Sequence, residues 1–313
     1  MRVLMFAAAL VASACVAEAA PRPAPVTDVH VHLPAPDGVP ALLAAMDRHG
    51  IERAVLLGCP EGQPGALRFT ASNDAVLAAA SAHPERLVAF PALGPEDGPE
   101  ALAELRGRGA CGVKLYLGTP ELHDRTLDDP RLAPLWAALA AERVPVILHV
   151  NTVRYEDELS RLLAAYPELA LVCPHFCGAR TSVDRLERLL AAHPGLRFDT
   201  SGGAPLHAAA GFAGLEQARD RVGALLRAHP ERFLFGSDLT AGPRGPQRGD
   251  DWDYHLAANL DLLRAPTLQF WRRDEGSVRG GLTRGEYRGL ELEAQVLAPI
   301  LRDNAERWLA PCR

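Results

Sequence analysis

The sequence predicts an α/β protein folded as a (β/α)8 TIM barrel with its active end at the C-terminal rim of the strands, and three observations carry that expectation. Short apolar runs of strand length alternate with helix-patterned segments eight times between Val26 and Gly236. Four connections share nearly one wording: Ala82-His83-Pro84-Glu85, Ala165-Tyr166-Pro167-Glu168, Ala192-His193-Pro194-Gly195 and Ala228-His229-Pro230-Glu231. The 313 residues, 48% of them hydrophobic, suffice for one large core.

Strands are expected at Val26–Leu33, Arg53–Gly58, Leu87–Ala92, Gly112–Leu117, Pro145–Val150, Ala170–Cys173, Leu196–Thr200 and Phe233–Gly236. Helices are expected at Val39–His49, Ser72–Ala82, Pro99–Arg108, Arg131–Glu142, Glu156–Ala165, Val183–Ala192 and Leu215–Ala228. The repeated connections end helices and feed strands, with the residue before proline pushed out of the α region. They therefore lie on the amino-terminal face, away from the rim where this fold does its chemistry. That sets aside His83, His193 and His229, and also His49 at the end of the first helix. Beyond the eighth strand, Thr240–Asp253 and Thr267–Arg288 read as a lid or subunit contact, which allows a homodimer, or as ordinary surface insertions. Asp250, Asp251 and Asp253 lack calcium-loop spacing and read as solvated.

Residues 1–19 read as an export signal: Arg2, an apolar run to Val16, and small residues before cleavage after Ala19. The run is too short to span a bilayer comfortably, so no membrane span is expected in the mature domain, 20–313, of a periplasmic or secreted protein. A lipoprotein attached through Cys15 fits less well, because Ala12 stands where a larger aliphatic residue is usual. A net charge of -6 gives no basis for binding nucleic acid. Cys59, Cys111, Cys173, Cys177 and Cys312 form an odd, widely spaced set in which no disulfide framework shows. Cys59, Cys111 and Cys173 read as small buried hydrophobes, and packing is preferred for the Cys173/Cys177 pair over a soft metal site.

The chemistry centres on VTDVHVHL at 26–33. In an extended strand Asp28, His30 and His32 share one face while Val29 and Val31 point away. His149 ends the fifth strand in PVILHV, His175 follows the sixth in LVCPHF, and Asp238 follows the eighth in FLFGSD, after a glycine and a serine small enough to admit a ligand. Strands one, five, six and eight thus deliver metal-competent side chains to one rim.

These motifs, with the tail segment ILRDNAERWL, resemble the amidohydrolase superfamily, specifically its amidohydrolase-related branch containing aminocarboxymuconate-semialdehyde decarboxylase and related hydrolases and lactonases. The resemblance spans most of the mature chain. It implies that His30, His32, His149 and Asp238 ligate one divalent ion, zinc, with His175 beside the substrate or at the metal itself. Three imidazoles and a carboxylate leave a coordination position where water becomes acidic. Asp238 can then shuttle its proton, while His175 hydrogen-bonds the oxygen on which charge develops. The expected activity is hydrolysis of a small amide, ester or lactone. Decarboxylation needs almost the same inventory, and an exported binding protein without turnover is the third reading. Lys114 and Tyr116 share a face of the fourth strand, where Lys114 binds a substrate carboxylate, fills the barrel through a salt bridge or, ranked last, supports a second metal as the carboxylated lysine of binuclear members does. Asn151, Arg154 and His207 on rim loops are the remaining substrate-binding candidates.

Overall fold

The computed structural model describes residues 25–62, 68–119, 125–203, 205–242, 251–273 and 281–312. The expected export segment, Cys15, Asp250 and parts of the two tail stretches lie outside them. The chain runs β1 (Val26–His32), α1 (Val39–His49), β2 (Ile51–Leu57), α2 (Thr70–Ala82), β3 (Leu87–Phe90), β4 (Ala92–Leu93), α3 (Pro99–Gly107), β5 (Val113–Leu115), α4 (Ala133–Ala141), β6 (Val146–Leu148) and α5 (Thr152–Ala165). It continues through β7 (Leu171–Cys173), the short α6 (Pro174–Cys177), α7 (Val183–Ala192), β8 (Arg197–Asp199), α8 (Pro205–Gln217), α9 (Arg219–Ala228), β9 (Phe233–Leu234) and β10 (Leu239–Thr240). The tail adds α10 (Asp251–Arg264), a hairpin of β11 (Thr267–Arg273) and β12 (Leu282–Arg288), α11 (Ala294–Ala298), one π-helical turn and α12 (Asn304–Trp308).

β3 and β4 are two halves of one strand interrupted at Pro91, and β9 and β10 are halves of another, so eight parallel strands close a ring. The Val29 N–H to Phe235 carbonyl bond (2.9 Å) and the Asp238 N–H to His30 carbonyl bond (2.8 Å) carry β1 across the second interruption. Helical spacing explains the outer layer. α7, for example, buries Leu186, Leu189 and Leu190 and exposes Asp184 and Arg188. His83, His193 and His229 follow α2, α7 and α9 in non-helical conformation, each N–H returning to a carbonyl of the last turn.

Two differences from expectation concern helices. The helix at Leu215–Ala228 is two, α8 and α9, broken at Ala218. The tail supplies the eighth barrel helix, α10, whose Asp253 pairs with His49 (2.8 Å) and Arg48 (3.0 Å) at the end of α1 rather than being merely solvated. The hairpin packs one face inward: Phe270 and Tyr287 are buried, and their rings lie 5.0 and 5.8 Å from Phe212 of α8.

The ring interior is filled by Val29, Val55, Leu57, Phe90, Ile147, Val172 and Leu234, and α12 closes its amino-terminal end with Ala305 and Trp308. The Trp308 ring lies 5.2 Å from Phe90, and its indole N–H donates to the Ala170 carbonyl at 2.8 Å. A disulfide between Cys111 and Cys312, with Cα atoms 5.0 Å apart, fastens this floor to the approach to β5. A second disulfide joins Cys173 and Cys177, Cα atoms 4.8 Å apart. The first corrects the reading of Cys111 as a packing residue, since barrel closure brings it to a partner 201 positions away and leaves no pattern in the sequence, and the second corrects the preference for packing at Cys173 and Cys177, which a local turn joins four positions apart. Cys59 alone is free and buried among the described residues. No helix among them is long and apolar enough to cross a membrane.

Replacing Cys111 and Cys312 together by serine removes a constraint on a very long loop of the unfolded chain. Urea unfolding should show a loss of about 2–5 kcal/mol, with metal content of the folded protein unchanged.

Candidate metal centre

The donor atoms converge at the carboxyl rim. His30 Nε2 and His32 Nε2 are 3.0 Å apart and stand 3.0 and 3.1 Å from the same Asp238 oxygen, Oδ1. Three donors at such separations adopt the spacing of ligands to one small cation, whose bonds to N and O are about 2.0–2.2 Å. β1 achieves this by departing from strict alternation. Its register against β2 shifts between Asp28 and Val31, a bulge that turns Val29 into the barrel floor and leaves both histidines facing the centre. The expectation that Asp28 shares their face and Val29 points away is thereby overturned: the Asp28 carboxylate accepts the N–H groups of His30 and Ser237, both at 3.0 Å. Burial pushes its carboxyl up to about 6.

Each ligand imidazole is fixed by its other nitrogen. His30 Nδ1–H donates to Asp199 Oδ2 at 2.7 Å, so Nε2 presents its lone pair to the centre. Tyr116 spends its hydroxyl hydrogen on the Gly58 carbonyl (2.7 Å), so the phenol oxygen accepts Nδ1–H of His32 at 3.2 Å. Tyr116, expected as a substrate wall, is thus an orienting partner of His32. Asp199 is the residue that sequence reasoning missed. Its other oxygen accepts the N–H groups of His175 (2.9 Å) and Ser201 (3.0 Å) and the Ser201 hydroxyl (2.5 Å). Space for it exists because residue 236 is glycine: a Cβ there would lie 3.0 Å from both Asp199 Cγ and His30 Cβ.

His175 sits in the left-handed region (φ 59°) at the start of a turn that Phe176 and Cys177 continue, and Asp238 shares that conformation (φ 58°). Such backbone costs roughly 1–3 kcal/mol per residue, and surrounding contacts hold it. His255 Nε2–H of α10 donates to the Ser237 carbonyl (2.7 Å), while Asn259 accepts the Gly202 N–H (2.8 Å), so one helix buttresses two rim loops. Because the Ser201 hydroxyl is given to Asp199, His175 Nδ1–H must donate to it (2.8 Å), which leaves Nε2 as an acceptor. The role expected for His175, donating to a developing oxyanion, does not fit that arrangement. Burial and the Arg180 charge push it down to about 3, keeping it neutral.

The remaining candidates separate. The ligating atoms of His30, His32 and Asp238 lie within 4.8 Å of one another, as do those of His30, His175 and Asp199, but His149 belongs to neither group. Its ring is 5.2 Å from that of His175, and burial, with the nearby Lys114 charge, holds it well below the ordinary histidine range. Lys114 is fully buried, its ammonium has no hydrogen-bond partner among the described residues, and it lies 4.9 Å from the Tyr116 ring. Burial pushes it down to about 8 against the opposing pull of Asp238 and Asp199. Asn151 caps α5 by accepting the Val153 N–H at 3.0 Å, and Arg154 and His207 are exposed on the surface.

Electrostatics supports a cation at the triangle. Burial disfavours a charged His30, yet Asp238 and Asp199 overcome it and hold the imidazole up to about 9. Burial would likewise raise Asp238, but the His30 charge and the hydrogen bonds from His30 and His32 bring it well below the carboxylate range. Without an ion, the proton on His30 occupies the role of the positive charge between two buried carboxylates.

The chain matches the family profile described as Amidohydrolase over residues 27–310. No curated protein matches it significantly. Among solved structures, a probable 2-pyrone-4,6-dicarboxylic acid hydrolase from Acinetobacter baumannii with citric acid bound aligns at 14% identity and TM-score 0.62, covering 91% of this chain and 99% of that one. An amidohydrolase from Burkholderia multivorans with bound zinc aligns at 19% identity and TM-score 0.59, covering 92% and 99%. A 5-carboxyvanillate decarboxylase from Novosphingobium aromaticivorans with bound manganese aligns at 16% and 0.50, covering 86% and 80%. At these identities the likeness carries the fold.

Metal binding must displace the His30 proton, so below pH about 9 affinity should fall with acidity and each ion should release about one proton. Calorimetry in buffers of different ionisation enthalpy measures this. Asp199→Asn should weaken metal affinity about 10–100-fold while leaving the far-ultraviolet dichroism unchanged.

Proposed function

Because this chain belongs to the amidohydrolase family, whose solved relatives include hydrolases and decarboxylases, we propose that it is a metal-dependent hydrolase of a small carbonyl compound, an amide, ester or lactone that also carries a carboxylate. The observation that carries the reading is the triangle of His30, His32 and Asp238 donors, each imidazole locked through its far nitrogen. A divalent ion there, proposed to be zinc, supplies Lewis-acid polarisation of the carbonyl and a water acidic enough to attack near neutral pH. His149 and His175 line the same mouth as neutral imidazoles.

Asp238 is ionised, and its side chain retains 13% exposure, so a substrate can reach it. It takes the proton released by the attacking water and returns it to the leaving group. His175, its Nδ1 committed to Ser201, offers Nε2 as a proton acceptor or as a further donor to the ion. The Lys114 ammonium is buried without a paired oxyanion, and a substrate carboxylate would satisfy it. The same buried cation also suits a decarboxylase, in which the carboxylate next to it would be the group retained and another would leave.

Export is inferred separately. Two disulfides suit an oxidising compartment, and sequencing the mature amino terminus should find Ala20.

Asp238→Asn should lower kcat about 10²–10⁴-fold with KM nearly unchanged. Lys114→Met should raise KM about tenfold or more for carboxylate-bearing substrates and leave neutral esters little affected. Product analysis across a panel of small carboxylated lactones, esters and amides should find hydrolytic product without carbon dioxide; carbon dioxide alone would assign the decarboxylase instead.

A further inference from the structure

At the end of the barrel remote from the metal centre, a cavity of about 430 Å³ opens between the Pro194–Gly195 turn, the start of β8, the approach to β9 and α12. Three guanidinium groups line it: Arg197 of β8, Arg232 just before β9, and Arg307 of α12, with Glu231 at its exposed edge and Asn304 behind. Two of the three are held in place. Arg232 Nε donates to the Leu196 carbonyl (2.7 Å) and Nη2 to that of His193 (2.5 Å). Arg307 donates to Asn304 Oδ1, and Asn304 is itself tied to the Pro230 and Phe233 carbonyls at 2.7 and 2.6 Å. All these partners are neutral. The Arg197 guanidinium makes no hydrogen bond or ion pair among the described residues, and neither Arg197 nor Arg307 meets a carboxylate there, although surface arginines elsewhere on the chain commonly do. Burial, with the neighbouring Arg307 charge, makes Arg197 less basic than usual, and the carboxylate that lines the cavity, Glu231, acts on Arg232.

We propose that this cavity is a second binding site, distinct from the metal centre, for a small molecule bearing oxyanion groups of the phosphate or carboxylate type. Planar guanidinium forks bind such groups through paired charged hydrogen bonds. A single ligand would bridge β8, the approach to β9 and α12, and so brace the floor of the barrel. None of the cavity residues belongs to the metal centre, so the site stands or falls independently of the proposed hydrolysis.

The test uses the metal-loaded, disulfide-intact protein, with calorimetry and thermal unfolding in inorganic phosphate, pyrophosphate and citrate, and chloride matched for ionic strength. Saturable binding and a concentration-dependent rise in Tm are expected for at least one oxyanion; pyrophosphate over citrate would identify phosphate chemistry, and the reverse a polycarboxylate. Arg197→Gln and Arg307→Gln should each weaken that binding about tenfold or more without altering turnover. Arg197→Lys, which keeps the charge but not the fork, should fall between. His30→Ala, which disrupts the metal centre, should leave the binding intact. Absence of saturable binding by all three anions up to about 10 mM, binding equal in wild type and both glutamine variants, or binding lost only in His30→Ala would each overturn the proposal.

Discussion

Two buried carboxylates facing one imidazole set the terms for the rest of this molecule. Asp199 and Asp238 approach His30 from its two nitrogens, and burial penalises both negative charges, so the centre is stable only with positive charge between them. The surrounding structure serves that requirement. Gly236 leaves room for the Asp199–His30 pair, left-handed backbone at Asp238 and His175 aims those residues inward, and α10 fixes the loops that carry them. An ion at this centre would meet donors whose orientation is settled beforehand, so little reorganisation would accompany its binding.

The barrel was legible because its signals are local and repeated. Apolar runs and helical spacing recur from step to step, and the histidine-proline stops at three of the connections told the helix-ending His83, His193 and His229 apart from the rim histidines. The convergence of His30, His32 and Asp238 followed from strand ends sharing one rim. What escaped was set by tertiary context. The bulge in β1 redirects Val29 and Asp28, and a bulge depends on the neighbouring strand. Asp199 was hidden because a carboxylate that orients a ligand carries no ligand motif of its own; its place at the carboxyl end of β8, two residues before a serine and a glycine pair, was the available signal. Tyr116 was recognised as facing inward, but its attachment to His32 depends on the Gly58 carbonyl of another strand.

The tail illustrates a different limit. Thr240–Asp253 and Thr267–Arg288 read as a lid or subunit contact or as surface insertions, while the segment between them drew no reading, yet there α10 completes the barrel's outer layer and reaches the rim loops through His255 and Asn259. Helical spacing in α10 is obscured because it buries polar as well as apolar residues. The disulfides are a matter of topology too, since ring closure brings Cys111 and Cys312 together from opposite parts of the chain. One end of the barrel is therefore organised by charge and the other by apolar packing and a covalent tie, with the ring of strands separating them.

The floor contributed by α12 bears on the order in which the protein can be made. Trp308 seals an interior whose other walls come from β1 through β9, so it leaves the ribosome only after all of them. Until it arrives, Val29, Ile147, Val172 and Leu234 face an unsealed tube, so the growing chain carries exposed apolar surface after the strands themselves have emerged. Closure therefore waits on α12, and oxidation of Cys111 with Cys312 then records that it has taken place.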